Sequence, residues 1–309
     1  MISRTEIQDA GRRIATHVRR TPIIALEEKA FGIDAKIFFK LECLQHTGSF
    51  KPRGAFNCIL TSTVPPAGVI AASGGNHGAA VAYAALKLGH RAEIFVPTIT
   101  PASKVERLWQ YGAAVTVTGN NYSEALAASR ERAAQTGAVS IHAYDDQRVL
   151  AGQGTLGMEL EEQVRGLDSV LIAVGGGGLI GGVAAWYHER VRVISVEPER
   201  APTLQRALAA GTVVDVETGG VAADSLGARR VGELMFPIAQ KFVPQSLLVS
   251  DDQIVAAQKA LWQKLRLIAE PGGAAALAAL LSGVYKPHSG ERVGVVLCGS
   301  NIDISSFPA

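Results

Sequence analysis

Cysteine is scarce in this sequence. Cys43, Cys58 and Cys298 stand far apart in 309 residues, which excludes a disulfide framework and paired zinc-ligand spacing alike. Charge is sparse too: Asp, Glu, Lys and Arg make up 19% of the chain, and 30 basic against 28 acidic residues leave a net +2. With no basic block, nucleic-acid binding has no electrostatic support. Long hydrophobic runs are missing as well. No uninterrupted apolar stretch reaches the length of a membrane span, and the opening MISRTEIQDAGRRIATHVRRTP lacks the apolar centre of a signal peptide. These absences predict a cytoplasmic protein in a reducing compartment, with neither nucleic acid nor membrane as partner.

What is plentiful is apolar side chain, 48% of the residues and ample for a core. The length exceeds that of a usual single domain, so one large or two moderate domains are expected. Ser3 and Glu6 form a capping-box pattern ahead of Ile7, Ala10, Ile14 and Val18, predicting a helix that stops near Pro22. AKIFFKLE reads as a strand. Short apolar runs then alternate with longer helical patterns: GVIAAS with HGAAVAYAALKLG, RAEIFVP with PASKVERLWQYG, AAVTVTG with SEALAASRERAAQTG, and SVLIAVGGGG with LIGGVAAWYHER. VRVISVEP and RVGVVLCGS complete the strands. This alternation, with continuously apolar strands, predicts an α/β fold of parallel sheets covered by helices. The strands fall into two groups, before and after about residue 146. No repeat, low-complexity tract or linker separates them.

Four stretches carry candidate chemistry. AVGGGGLIGG, residues 173–182, joins a strand to a helix. Its glycines let backbone N–H groups approach a phosphate, and the helix N-terminus adds positive potential. The same stretch holds G-x-G-x-x-G at Gly176, Gly178 and Gly181, and Glu197 ends the next strand, where a dinucleotide fold places its ribose-binding acid. In ASGGNHGAA, residues 72–80, Ser73, Asn76 and the glycine amides are able to hold a carboxylate or a hydroxyl, or simply start a helix. His77 is a candidate general base, but a histidine at a helix start is more often structural. Cys298, in VVLCGSNID, ends an apolar strand where parallel sheets meet ligands, or is inert packing. Lys51, in GSFKPRGA, lies in a glycine-flanked apolar turn. Desolvation there lowers a lysine pKa, as Schiff-base chemistry requires, while the plain alternative is an exposed turn.

Taken together, ECLQHTGSFKPRGA, SGGNHG, AGQGT, VGGGGLIGG, EPGGAAALAAL and CGSNID resemble, in this order and across nearly the whole chain, one family. They are similar to the pyridoxal-phosphate enzymes of the tryptophan-synthase-β fold type (fold type II), in the branch of threonine/serine dehydratases and serine racemase. The lone G-x-G-x-x-G is weaker, since a dinucleotide site leaves the Lys51 segment unexplained. The resemblance implies that Lys51 binds the cofactor covalently, that Phe50 packs near its ring and that Asn76 bonds its 3-hydroxyl. Gly175, Gly176, Gly177, Gly178 and Leu179 match the loop whose amides cradle the 5′-phosphate. Ser73, Gly75, Asn76 and His77 match the loop that holds the substrate carboxylate, and Cys298 matches the position facing the pyridine nitrogen. It implies a large domain of residues 1–66 and 147–309, a small domain of 67–146 with the cofactor between them, and a homodimer. The implied reaction is loss of water and ammonia from L-threonine or L-serine.

Three departures sharpen these expectations. Gly74 stands where racemases of this branch carry a serine, so racemisation is not expected. Thr203 replaces an aspartate of the divalent-metal site that Glu197 and Ala201 would share, so no bound metal is expected. The sequence ends soon after CGSNID, so feedback by isoleucine through a C-terminal regulatory domain is not expected. Rival readings are dehydration of 3-hydroxyaspartate, phenylserine or a hydroxyectoine breakdown product, an NAD-dependent oxidoreductase, and a non-catalytic amino-acid-binding protein.

Overall fold

A computed structural model of the chain describes residues 1–27 and 29–308. Helix α1 (Arg4–Ile14) opens with the expected capping box between Ser3 and Glu6. It ends at Ile14, well before Pro22. Beyond it Val18 packs against the core of the smaller of two sheets, and the His17 ring stacks on Phe56 at 5.1 Å. Thr16, His17 and Val18 are weaker helix formers, so these contacts outweigh continuation of the helix.

Strands β1 (Ile23–Ala25) and β2 (Lys36–Lys40) pair antiparallel. Two 3-10 turns, Glu42–Leu44 and His46–Gly48, lead into helix α2 (Lys51–Leu60). GSFKPRGA is therefore a helix start and not the expected turn. Lys51 is the first helical residue, and Pro52 occupies the first turn, where its missing N–H leaves no bond unmade.

Next come β3 (Val69–Ala72), α3 (Asn76–Lys87), β4 (Ala92–Val96) and α4 (Ala102–Gln110). They are followed by β5 (Ala114–Val117), α5 (Tyr122–Thr136) and β6 (Val139–Ser140). The four strands form the smaller sheet in the order β5-β4-β3-β6, parallel throughout. Helix α6 (Gln147–Gln163) returns the chain to β7 (Ser169–Ala173), α7 (Gly178–Tyr187) and β8 (Arg192–Pro198). Helices α8 (Thr203–Ala210), α9 (Ala223–Leu226) and α10 (Phe236–Phe242) precede β9 (Gln245–Val249). Helices α11 (Asp251–Leu265) and α12 (Pro271–Leu281) then lead to β10 (Arg292–Val296). The larger sheet runs β1-β2-β10-β7-β8-β9, and all of its pairs except β1 with β2 are parallel.

Strand β7 is buried along its whole length, and β8 and β10 at all but their first residues, the signature of parallel strands covered on both faces. The core of the smaller sheet includes Ala55, Phe56, Cys58 and Ile59 of α2. The helix that starts with Lys51 thus packs on the smaller sheet. Its Gly54 must stay bare against α6, because a Cβ there would stand 2.5 Å from Gln153 Nε2 and 2.9 Å from Val149 Cγ1. Loops leaving the C-terminal ends of β3 and β10 meet through Asn76 and Asn301, which places the ligand-facing ends of the two sheets together. Among the described residues, no helix is long and apolar enough to cross a membrane.

Candidate active site

Lys51 points into the cleft where these loops meet. Its Nζ donates to the Ala143 carbonyl at 2.9 Å and lies 5.1 Å from the centre of the Phe50 ring. Burial lowers its pKa to about 8, with Cys298 and Glu270 acting in the opposite sense. An amine so tuned is partly neutral near physiological pH, as a nucleophile or base must be. The Phe50 N–H donates to the Cys298 carbonyl at 3.2 Å, tying the start of α2 to the end of β10. The Cys298 thiol is buried 3.5 Å from the Gly272 carbonyl. Burial, reinforced by the charge of Glu270, pushes its pKa well above the ordinary thiol value and keeps it protonated.

Across the cleft, the loop after β3 begins α3. The Gly75 N–H donates to Ser73 Oγ at 3.2 Å, and Asn76 is the first helical residue. Asn76 Nδ2 donates to Glu270 Oε1 at 2.7 Å, and its Oδ1 accepts from Asn301 Nδ2. His77 is buried, with Nε2 2.9 Å from the Ile141 carbonyl. Burial and the neighbouring Lys51 charge push its pKa down to about 3. The ring is neutral and its Nε2–H serves that carbonyl, so the side chain is a structural donor and not a general base.

Gly175, Gly176, Gly177 and Gly178 connect β7 to α7 with no room for side chains. A Cβ at Gly176 would fall 2.3 Å from Tyr144 Cδ1, one at Gly178 2.9 Å from Tyr144 Cβ, and one at Gly175 3.0 Å from Leu226 Cα. Gly177 has φ +85°. Among the described residues, the N–H groups of Gly175, Gly176 and Gly177 have no hydrogen-bond acceptor. With the first-turn amides of Gly178 and Leu179, they lie at the positive end of α7, an arrangement whose chemistry suits an anion.

Glu197 lies elsewhere. Its buried carboxylate accepts the N–H of Leu204 at 2.6 Å and of Gln205 at 2.8 Å, capping α8. Burial nevertheless raises its pKa to about 7. Thr203 Oγ1 donates to the Ala228 carbonyl at 2.8 Å. A carboxylate spent on a helix start is not free to bind a ribose, which removes the support for a dinucleotide site. Among the described residues, no group of three or more His, Cys, Asp or Glu is placed to hold a metal ion.

Several residues of the cleft escaped sequence reasoning. Glu270 and Asn301 stand in the stretches EPGGAAALAAL and CGSNID with nothing local to mark them out. Ala143 acts through its carbonyl, which no side-chain pattern reveals.

A family model described as pyridoxal-phosphate dependent enzyme matches residues 14–299 of the chain. The chain belongs to this family. L-threonine ammonia-lyase of Geobacter sulfurreducens is 39% identical over 313 residues, spanning 99% of this chain and 77% of that protein. Serine racemase of Arabidopsis thaliana is 36% identical, spanning 97% of this chain and 93% of that protein. The structure of maize serine racemase aligns with a TM-score of 0.93 at 36% identity, covering 98% of this chain and 95% of that one.

For a pyridoxal-phosphate dependent enzyme, the cleft offers what the cofactor needs. The bare glycine loop presents amides to a phosphate, and a Cβ at Gly176 or Gly178 would drive Tyr144 aside. Lys51 has the lowered pKa that an amine bonding an aldehyde would need. Ser49 Oγ, two residues before it, and Thr47 Oγ1 are buried with no hydrogen-bond partner among the described residues, polar groups with bonding capacity to spare.

Proposed function

We propose that this enzyme removes the elements of water from L-threonine or L-serine and releases a 2-oxo acid and ammonia. In this reading Lys51 holds the cofactor covalently, Phe50 packs beside its ring, Asn76 bonds its 3-oxygen and Cys298 faces its ring nitrogen. Gly175 to Gly178 and Leu179 hold the phosphate, and Ser73, Gly75, Asn76 and His77 hold the substrate carboxylate, largely through main-chain donors. We further propose that residues 67–146 form a small domain and residues 1–66 with 147–309 the large one, Glu28 and Ala309 lying outside the described residues.

When bound, pyridoxal phosphate supplies the electron sink for the pair left by breaking the Cα–H bond. Freed when the substrate amine takes its place, the Lys51 amine would take that proton, and the resulting ammonium would return one to the departing β-hydroxyl, so that water leaves. The released enamine takes up water and expels ammonia, giving 2-oxobutanoate from threonine or pyruvate from serine. Cys298, a weak donor that keeps its proton, would leave a ring nitrogen held against it unprotonated, and a sink so weakened would favour prompt loss of the β-group.

The observation that carries elimination over racemisation is Gly74. Delivering a proton from the second face needs an acid there, and Gly74 has no side chain. A Cβ at this position would also stand 2.7 Å from Thr100 Cγ2, so a serine fits only if Thr100 moves. The decisive experiment measures 2-oxo acid release across a panel of β-hydroxy amino acids alongside D-serine formation. Threonine and serine are expected as the best substrates, with the visible absorbance of bound cofactor lost in Lys51→Ala. D-serine formed at a rate rivalling elimination overturns the argument from Gly74. A colourless protein that binds NAD overturns the whole reading.

A further inference from the structure

The hydrogen bonds around Asn76 have one fixed end. The Thr47 carbonyl accepts only, and Asn301 Nδ2 donates to it at 2.7 Å. The same nitrogen donates to Asn76 Oδ1, which uses both of its protons. Asn76 is thereby held with its oxygen toward Asn301 and its nitrogen toward Glu270 Oε1, 2.7 Å away. The orientation of the Asn76 amide therefore follows from the partners and is not an arbitrary choice of O and N. One proton of Asn76 Nδ2 goes to Glu270 and the other is left for the cleft.

Glu270 is placed for this by the backbone around it. It is 4% exposed and stands at the start of α12, yet its side chain makes no capping bond to that helix. Its N–H donates to the Gly299 carbonyl at 3.2 Å. A Cβ at position 299 would fall 2.0 Å from Glu270 Oε1, so only glycine there lets the carboxylate reach Asn76.

We infer that Glu270 and Asn301 are positioning residues that lock the Asn76 amide with an N–H donor facing the cofactor's 3-oxygen. This rests on the reading of Asn76 as the residue that bonds that oxygen. The lock is strongest when Glu270 is ionised, because a carboxylate accepts only, whereas a carboxylic acid also donates and competes for the amide oxygen. Burial raises the Glu270 pKa to about 7, the Asn76 bond opposing it. The charged and titratable groups acting with it are Asp224, Arg107 and Lys104 across the cleft mouth, Lys51 of α2, and the thiols of Cys43 and Cys298.

The test uses holoenzyme and two readouts other than turnover: cofactor affinity, and the pH titration of the visible band. Glu270→Gln and Asn301→Leu are each expected to weaken cofactor binding about tenfold, the range of one charge-assisted hydrogen bond. Glu270→Gln is expected to remove the component of the titration near neutrality while keeping the Lys51-dependent band. Asn76→Ala is expected to cost as much, and the Asn76→Ala/Glu270→Gln double variant no more than Asn76→Ala alone, since both act through one amide. Additive losses, or a Glu270→Gln titration identical to wild type, overturn the inference even though the cofactor binds. A wild-type protein without a visible band, or an Asn76→Ala variant of unchanged affinity, overturns the underlying reading of the site instead.

Discussion

Arg53 and Glu42 form a bidentate ion pair in the interior, with Nε to Oε2 at 2.8 Å and Nη2 to Oε1 at 2.7 Å, two residues beyond Lys51. Arg53 Nη1 also reaches Glu159 Oε2 at 3.1 Å, and Glu159 in turn pairs with Lys40. Two cations and two anions thus compensate one another out of water and bind α2 to α6 and to the end of β2.

Breaking this set exposes its cost. Arg53→Met leaves Glu42 and Glu159 short of a cation and should lower unfolding free energy by about 3–5 kcal/mol, read from the urea midpoint at unchanged m. Burial raises the Glu42 pKa, but Arg53, Lys40 and Thr21 more than offset this and leave it lowered from 4.5. A depressed folded pKa means stability that is complete above the unfolded value and is lost as pH falls through the folded one. The wild-type protein should therefore hold this contribution until pH drops below 4.5, and Arg53→Met should show less acid sensitivity in that window.

Lys51 makes a separate pH prediction. Burial brings its pKa down from 10.5 to about 8, and only the neutral amine attacks an aldehyde. The rate at which apoprotein takes up pyridoxal phosphate, followed by visible absorbance, should rise with pH and level off above about 8. A rate still climbing toward the pKa of a free lysine contradicts the burial argument.

Gly74→Ser tests the space beside Thr100. The single variant should lose roughly 1–3 kcal/mol of stability from overpacking, and Thr100→Ala should restore much of it by removing the Cγ2 that lies 2.7 Å from the new Cβ. Chiral analysis of serine turnover should find D-serine above the wild-type level only in the double variant.

Gly176→Ala tests the phosphate cradle. Its Cβ would meet the Tyr144 ring at 2.3 Å, so the ring or the loop must move. Cofactor affinity should fall at least tenfold, roughly one lost charge-assisted bond, and protection by inorganic phosphate against thermal unfolding should disappear. Retained affinity in a folded Gly176→Ala protein would mean that the phosphate lies elsewhere.

The legible part of this site was local. Lys51, Asn76 and Gly175 to Gly178 each sit at the start of a helix, announced by neighbouring glycine, proline or small polar residues. Glu270 and Asn301 were not legible. Glu270 bonds a residue 194 positions away and Asn301 one 225 positions away, and no local pattern encodes such a meeting. His77 was open to two readings by residue type, and burial against the Ile141 carbonyl decides for the structural donor that a histidine at a helix start more often is. The short strands β1, β6 and β9 were missed because so few residues leave little periodicity to detect.

Sequence alone determined the alternation of strands and helices, the bare glycine loop between β7 and α7, and the amine beside Phe50, because these depend on residue type and near neighbours. Tertiary structure decided that α2 packs on the smaller sheet while its start is tied to Cys298 of the larger, that Lys51 is buried with its pKa lowered, and that Asn76 donates to Glu270. Those outcomes depend on burial and on hydrogen-bond partners brought together by chain folding, and burial and partnership set the protonation and direction of a polar group.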